Sequence, residues 1–413
     1  MKKYFYGYNI VTAGFFIQGI CIGAMFTYGV FFTEFQQEFG WSRGLISGAS
    51  SLSFFVMGAG AIFFGTLNDR FGPRIILTVS GFLLGIGYLL MSFIQVPWHL
   101  YILYGVLVGI GFSTHDVITL STVARWFIRF RGRMTGLTKV GTGVGQFIAP
   151  IVATGLIAVY GWRNAYLMIG GFSLIVLVLL AQLMKLDPQS IGVLPDGESN
   201  TGADITANTD SDSLSSREAL RTLQFWIICI AEFTVFFCLL TVIVHIIPHA
   251  QDQGLRPTLA AAVLSTIGSV SIIGRIVTGS LIDKIGGKRS LIFCFIILIS
   301  SLIWLQLAAE IWMLFVFAFV YGFAHGGFFT VMSPLIAERF GIDSLGQLFG
   351  IVLFVGTLGG TIGPTVSGYI FDVTGSYQAS FAVLTGIAIL GLVLILFLRV
   401  KPETRSLLPP AAD

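Results

Sequence analysis

The stretch from Ser271 to Arg289, SIIGRIVTGSLIDKIGGKR, carries two features that rarely sit together. Arg275 lies inside an apolar run, where a charge is costly. Just after it, Gly279-Ser280-Leu281-Ile282-Asp283-Lys284-Ile285-Gly286-Gly287-Lys288 forms a compact polar turn with charges of both signs. The same turn stands earlier as Gly65-Thr66-Leu67-Asn68-Asp69-Arg70-Phe71-Gly72-Pro73-Arg74. Gly65 and Gly279 are 214 positions apart, about half of the 413-residue chain. Gly145, Pro150 and Gly161 recur at the same offset as Gly359, Pro364 and Gly375. The chain is therefore read as two halves built on one plan in parallel orientation, as in transporters that work around a midplane site.

Outward from that repeat, the composition says what surrounds it. Hydrophobic residues make up 55% and charged residues 10% of the chain, whereas soluble domains carry about 25% charged residues. Apolar runs of roughly 20 residues, enough to cross a bilayer as a helix, follow one another from end to end. Twelve helices are expected, at about 8–32, 44–66, 75–94, 98–124, 134–160, 164–184, 223–249, 258–281, 290–308, 311–338, 345–370 and 378–399. The fold class is an all-α membrane protein with two pseudo-symmetric six-helix halves, residues 1–184 and 223–413. Between them, residues 185–222 are rich in Ser, Thr, Asp and Gly and poor in large apolar side chains. Such a segment buries no core, so a flexible linker is expected there. The first apolar run is too long for a cleaved signal and reads as a retained helix.

Charge sets the orientation. With the N-terminus inside, 18 of the 23 Lys and Arg residues fall on the cytoplasmic side, and only Arg43, Arg163 and Arg256 fall outside. This bias predicts cytoplasmic termini and a cytoplasmic linker. Lys139 and Arg275 remain within the membrane. Cys21, Cys229, Cys238 and Cys294 all lie in apolar runs and suit neither a disulfide framework nor a metal site. No nucleotide-binding loop, metal cluster or nucleophile–base arrangement is present, so no enzyme, catalytic residue or cofactor is expected.

The paired turns resemble the signature loops of the major facilitator superfamily, after its second and eighth helices. Three stretches resemble the superfamily's monocarboxylate porter family, including its bacterial oxalate–formate branch. These are Glu38-Phe39-Gly40-Trp41-Ser42-Arg43, then Arg125-Trp126-Phe127-Ile128-Arg129-Phe130-Arg131-Gly132, and Val244-His245-Ile246-Ile247-Pro248 with Asp252-Gln253-Gly254. There are departures. Tyr6-Gly7-Tyr8-Asn9 lacks the acidic residue that animal members carry, and helix 1 has no lysine. The family's helix-8 Asp–Arg pair reads here as Ser271 and Arg275. Residues 345–370 hold no Lys or Arg, where oxalate exchangers carry a lysine.

A charge in mid-membrane marks a functional candidate. Asp116, Lys139, Glu232 and Arg275 are such charges, with His115, His245 and His325 as titratable neighbours. The resemblance places Asp116, Lys139, Glu232, Arg275 and His325 on helices that line the cavity. Arg275 lies seven residues before Ile282, about 10 Å from the helix end at 1.5 Å per residue, too deep to snorkel. It reads as a carboxylate-binding guanidinium or as the partner of Glu232 or Asp116. Lys139, Ser271, Tyr321 and His325 join it as expected substrate-binding residues. Asp116, with His115 beside it, is the leading proton site and Glu232 the second. A fixed Asp116–Lys139 pair stands as the competing reading. His245, near Pro248, reads as a helix-end feature. In the turns, Asp69, Arg70, Arg74, Asp283, Lys284 and Lys288 are expected to gate the two half-states. Gly141 with Gly145, and Gly356 with Gly360, allow close helix approach and suit sliding between the halves as well as ordinary packing.

The expected function is proton-coupled symport of a small monocarboxylate. Organic-anion exchange and a non-transporting sensor are the alternatives. The expected partners are the carboxylate, the proton and the lipid bilayer, with no nucleic acid. A monomer in the cytoplasmic (inner) membrane is expected.

Overall fold

The computed structural model describes residues 4–197 and 213–399. Lys2, Lys3, Lys401 and Arg405, counted in the charge bias, lie outside the described residues, as does 198–212 of the expected linker.

Among the described residues, twelve long helices cross the fold. They are α1 (Gly7–Phe39), α2 (Arg43–Phe71), α3 (Pro73–Met91), α4 (Pro97–Trp126), α5 (131–160), α6 (162–183), α7 (Leu223–Asp252), α8 (Pro257–Ile285), α9 (Gly287–Leu307), α10 (Ile311–Phe340), α11 (Leu345–Thr374) and α12 (Gln378–Leu396). Gly161 separates α5 from α6 with φ 76°. Each of the twelve matches an expected segment, often with extra turns at its ends. Those extra turns carry polar residues beyond the apolar run, such as Glu34, Gln36, Gln37 and Glu38 on α1. The side of the fold that carries the linker is called the linker side below, and the other the far side.

α4 is irregular. Pro97 opens it, its fixed φ suiting a first helical position. Tyr101–Val108 then forms an eight-residue π-helical stretch. A turn at Ser113 and Thr114 interrupts the helix before His115–Trp126 resumes it.

Two apolar cores form. One joins residues from Ile10 to Met184. The other joins residues from Ala219 to Leu398 and recruits Ala61, Val117, Leu120 and Ala124 from the first half. Within the first half, α1 crosses α5 where Gly145 meets the backbone of Gly19. Within the second, α7 crosses α11 where Gly359 meets the backbone of Phe233. The second crossing repeats the first at the 214-residue offset. Gly141 faces Phe15, Gly356 faces Glu232 and Phe236, and Gly360 faces Leu240. The four-residue glycine spacings thus serve packing inside each half, not sliding between halves. A small residue permits close approach but does not select the partner.

The halves meet on the linker side through α2 with α11 and α5 with α8. Gly65 packs on Gly346 and Ala61 on Gly350. Gly132 and Gly136 pack on Gly279 and on the carbonyl of Arg275. Above each crossing an aspartate closes the joint. Asp69 accepts hydrogen bonds from the backbone N–H groups of Gly346 at 3.1 Å and Gln347 at 3.0 Å, the first turn of α11. Asp283 accepts from those of Gly132 at 2.6 Å and Arg133 at 3.0 Å, the first turn of α5. A helix N-terminus has unsatisfied donors and a positive dipole end, so each carboxylate completes a helix of the opposite half. Arg125 strengthens one joint only. It donates to Asp69 at 2.7 Å and to the carbonyl of Asp343 at 3.3 Å. Its counterpart Arg339 makes no ion pair among the described residues.

Three of the basic residues expected beside the aspartates have their partners in their own halves. Arg74 donates to Gln182 at 2.6 Å, and Lys288 donates to the carbonyls of Leu396 and Leu398. Arg70 lies over the ring of Phe71. Gly72 and Gly286 end α2 and α8 with φ 81° and 84°. Only glycine adopts that conformation at little cost, which gives the repeated glycines of the two turns their role.

The linker has more structure than its composition suggests. Asp196 accepts from the backbone N–H groups of Ile128 at 3.0 Å and Arg129 at 2.8 Å, capping the loop between α4 and α5. Ser216–Leu220 forms a short helix opened by a Ser215–Glu218 capping box. Capping chemistry needs no apolar core, so composition alone misses it.

Gly145→Val should overpack the α1–α5 crossing and destabilise the fold by about 1–3 kcal/mol, read as a lower Tm in detergent. Gly155→Val, at a position with open space around the added group, is the control and should leave Tm in place. Asp69→Asn should weaken closure on the linker side by about 1.5–3 kcal/mol, the worth of hydrogen bonds to a charged group. The measurement is labelling of an Ala61→Cys reporter, buried against Gly350, in a background without the native cysteines. Faster labelling in Asp69→Asn is expected; an unchanged rate would sink this account of the joint.

Candidate functional site

The last segment of α4, His115–Trp126, is buried at every residue although it carries His115, Asp116, Thr119, Ser121, Thr122 and Arg125. Buried polar groups need partners, and the helices around α4 supply them. Asp116 sits in the first turn after the break, where free N–H groups favour negative charge. Its Oδ1 accepts from Lys139 Nζ of α5 at 2.6 Å and from Gln18 Nε2 of α1 at 2.8 Å. Gln18 also donates to Thr119 Oγ1 at 2.9 Å, and Thr142 donates to Gln18 Oε1 at 2.9 Å. The open Asp116–Lys139 question is thus answered for this state: the pair is made. His115 Nδ1 donates to the carbonyl of Phe112 at 2.6 Å, which leaves Nε2 3.8 Å from Asp116 Oδ2.

Lys139 also reaches the other half. Its ammonium lies 5.2 Å from the ring centroid of Phe329 on α10, a cation–π distance. It stands within electrostatic reach of Asp116, Arg275 and Glu232 together.

Arg275 is 1% exposed, and its guanidinium packs over Gly143 of α5, where the missing side chain makes room. Neither of the structural pairs read as its alternatives forms. Among the described residues Arg275 makes no ion pair, and its Nε and Nη1 have no hydrogen-bond partner. Glu232 of α7 is 3% exposed and lies against Gly356 of α11. Its Oε2 is likewise without a partner. Nδ1 of His325 is also without a partner among the described residues, in a ring 5.1 Å from that of Phe329. His325 is within electrostatic reach of Arg275 and Lys139. The fold therefore holds a satisfied pair, Asp116 with Lys139, and a buried cation and a buried carboxyl with atoms that lack hydrogen-bond partners among the described residues.

Other expected site residues have hydrogen-bond partners of their own. Ser271 donates to the carbonyl of Gly268 at 2.7 Å, and its own carbonyl packs on Gly326, so it serves the α8–α10 crossing. Tyr321 donates to the carbonyl of Leu239 at 2.9 Å and ties α10 to α7. His245 joins α7 to α11 and α12 through the carbonyl of Pro364 at 2.9 Å and the hydroxyl of Tyr377 at 3.1 Å. Gln18, Thr142, Arg125 and Phe329 were not among the expected residues. Gln18 had a signal, an amide inside Phe15-Phe16-Ile17-Gln18-Gly19-Ile20, which a search restricted to charges and histidines passes over.

Comparison with known proteins agrees with this architecture. The sequence profile described as Major Facilitator Superfamily matches residues 14–305 and 246–413. Monocarboxylate transporter 13 of Bos taurus is 30% identical over 381 residues, covering 92% of this chain and 86% of that protein. Its Rattus norvegicus counterpart is 29% identical, covering 92% and 85%. Monocarboxylate transporter 12 of Mus musculus is 26% identical, covering 98% and 88%. Among solved structures, the proton:xylose symporter XylE superposes with a TM-score of 0.75 at 15% identity, covering 95% of this chain and 96% of that one. The transporter FucP in its outward conformation gives 0.71 at 16% identity, covering 95% and 100%. At those identities the structural likeness speaks to fold. With the family profile spanning both halves and a relative at 30% identity over nearly the whole chain, this protein belongs to the Major Facilitator Superfamily, in its monocarboxylate transporter family, and is a multi-pass membrane transporter and not an enzyme.

Proposed function

We propose that this chain is a secondary active transporter that carries a small monocarboxylate together with a proton, by alternating access, across a cytoplasmic (inner) membrane. The observation that carries the reading is Arg275: a fully buried guanidinium that packs on Gly143 of the other half and, among the described residues, has open donors and no carboxylate partner. A carboxylate cargo matches the planar fork of a guanidinium. The names of the relatives, monocarboxylate transporters, point the same way. With the linker side assigned to the cytoplasm by its Lys and Arg content, the joints at Asp69 and Asp283 close the path inward. One chain holds every group invoked, so we place the function in the monomer.

Charge accounting favours proton coupling. Lys139 and Arg275 against Asp116 and Glu232 sum to zero when all are ionised. A monoanion adds one negative charge, and one proton on a carboxyl restores neutrality, which a low dielectric rewards. The sequence favoured Asp116 for that proton. We now assign it to Glu232, because Asp116 Oδ1 is already held by Lys139 and Gln18 whereas Glu232 has an open oxygen.

In purified protein, Arg275→Lys should weaken cargo binding by about 1.5–3 kcal/mol, roughly ten- to a hundredfold, measured by counterflow in proteoliposomes; unchanged affinity in a folded variant rejects the assignment. Glu232→Gln should erase the rise in uptake that an inward proton gradient drives. Asp116→Asn should instead strip Lys139 of its partner and lower Tm, since breaking a buried pair costs about 3–5 kcal/mol. If gradient dependence is lost with Asp116→Asn and kept with Glu232→Gln, the proton belongs to Asp116. If the intact protein shows no gradient-driven uptake of any acid it binds, symport is wrong.

A further inference from the structure

The far ends of α1 and α7 are twins at the 214-residue offset, and they are fastened differently. Phe31, Phe35, Glu38, Phe39 and Gly40 correspond to His245, His249, Asp252, Gln253 and Gly254. Both ends stop at a positive-φ glycine, Gly40 at 64° and Gly254 at 86°. The end of α1 is held by groups that do not titrate near neutrality. Phe31 stacks on Tyr166 at 3.8 Å between centroids, and Phe35 meets Trp162 edge-on at 5.4 Å. Glu38 accepts from Trp162 Nε1 and pairs with Arg163.

The end of α7 is held through two imidazoles. His245 Nε2 faces the carbonyl of Pro364 at 2.9 Å and therefore donates, while its Nδ1 lies 3.1 Å from the hydroxyl of Tyr377. A hydroxyl donates or accepts as needed, so His245 keeps both contacts whether neutral or protonated. His249 differs. Gln253 Nε2 donates at 2.9 Å to the carbonyl of Ala308, the residue that ends α9, which fixes the nitrogen end of the amide. The same Nε2 lies 3.2 Å from Nε2 of His249. An amide nitrogen only donates, so this imidazole nitrogen must hold a lone pair. A proton there sets donor against donor. Turning the amide over relieves His249 but sets Oε1 against the carbonyl of Ala308. A protonated His249 and the link from Gln253 to α9 therefore exclude each other.

We infer that His249 and Gln253 form a pH-sensitive tie on the far side: neutral His249 keeps the end of α7 fastened to α9, and its protonation unfastens it, while the equivalent end of α1 does not respond. Pro248, just before His249, lacks the N–H that would bond back along α7, so the helix can bend there. The ring of His249 lies edge-on to Phe381 of α12 at 4.8 Å and to Tyr377 at 5.7 Å. The titratable and charged groups around it are Asp252 and His245 on α7, Tyr377 before α12, Asp372 on α11 and Glu310 beyond α9.

The test needs no cargo and no gradient, so its outcome is independent of the proton-coupled carboxylate reading. Spin labels go on Gln251→Cys and Ala309→Cys, both exposed positions, in the purified full chain without its native cysteines, in lipid nanodiscs. Dipolar broadening is read in frozen samples from about pH 7 to about pH 4, within the spread of imidazoles in proteins. With His249 and Gln253 intact, the ratio of separated to docked populations should rise about two- to tenfold on acidification, the worth of one hydrogen bond. His249→Phe, the residue α1 carries at the twin position, should keep the docked spacing throughout. Gln253→Leu should show the separated population throughout, with no response to pH. A spacing that ignores pH with both residues intact, or a response that survives His249→Phe, overturns the inference. Should His249→Phe fail to fold, Gln253→Leu decides alone, since a response that survives it also overturns the inference.

Discussion

Two carboxylates that cap helices belonging to the opposite half hold this structure in the state described. Asp69 closes the first turn of α11 and Asp283 the first turn of α5. Each meets two backbone N–H groups that the helix itself cannot satisfy. The caps need α2 against α11 and α8 against α5 at backbone distance, which explains the glycines at Gly65, Gly346, Gly132, Gly136 and Gly279. Those crossings in turn bury the groups above them, so that Arg275, whose carbonyl lies on Gly136, sits sealed from the linker side. Closure and the character of the site are thus one constraint.

Much of this was legible in the chain, for physical reasons. Apolar length fixes a membrane helix, so all twelve segments were found. A positive-φ glycine in a repeated turn marks a position no other residue fills cheaply, so the turns at Gly72 and Gly286 stood out. Intramembrane charge is rare enough that counting it located Asp116, Lys139, Glu232 and Arg275. What stayed hidden depends on partners. Arg125 looked like one more positive charge near a membrane edge, and only the fold reveals that it holds Asp69. The π-helical stretch at Tyr101–Val108 is apolar throughout and carries no pattern distinct from α-helix. The spacing of Gly141 and Gly145 announced a close crossing without saying that α1 lies across it.

The site contrasts two ways of keeping charge out of water. Asp116 and Lys139 are compensated locally, with Gln18, Thr119 and Thr142 extending the network into α1 and α5. That arrangement ties three helices of one half into a rigid body. Arg275 and Glu232, in the other half, are left without such support among the described residues. One half thus offers a finished surface and the other an unfinished one. Phe329 of the second half reaches Lys139 of the first.

The reciprocal caps have an evolutionary reading. Asp69 contacts positions 346 and 347, and Asp283 contacts positions 132 and 133, the same residues once the 214-position offset is applied. Residue i touching j while j's twin touches i's twin is the signature of an isologous interface, the kind a two-fold homodimer makes. The joint is what two identical six-helix subunits would form on meeting. Within one chain nothing demands that both copies stay alike. Arg125 and Arg339 show the result, a matched pair of arginines of which one still reinforces its aspartate and the other does not. Identical latches would release together, whereas here the aspartate joined to an arginine, Asp69, and the one held by backbone groups, Asp283, need not.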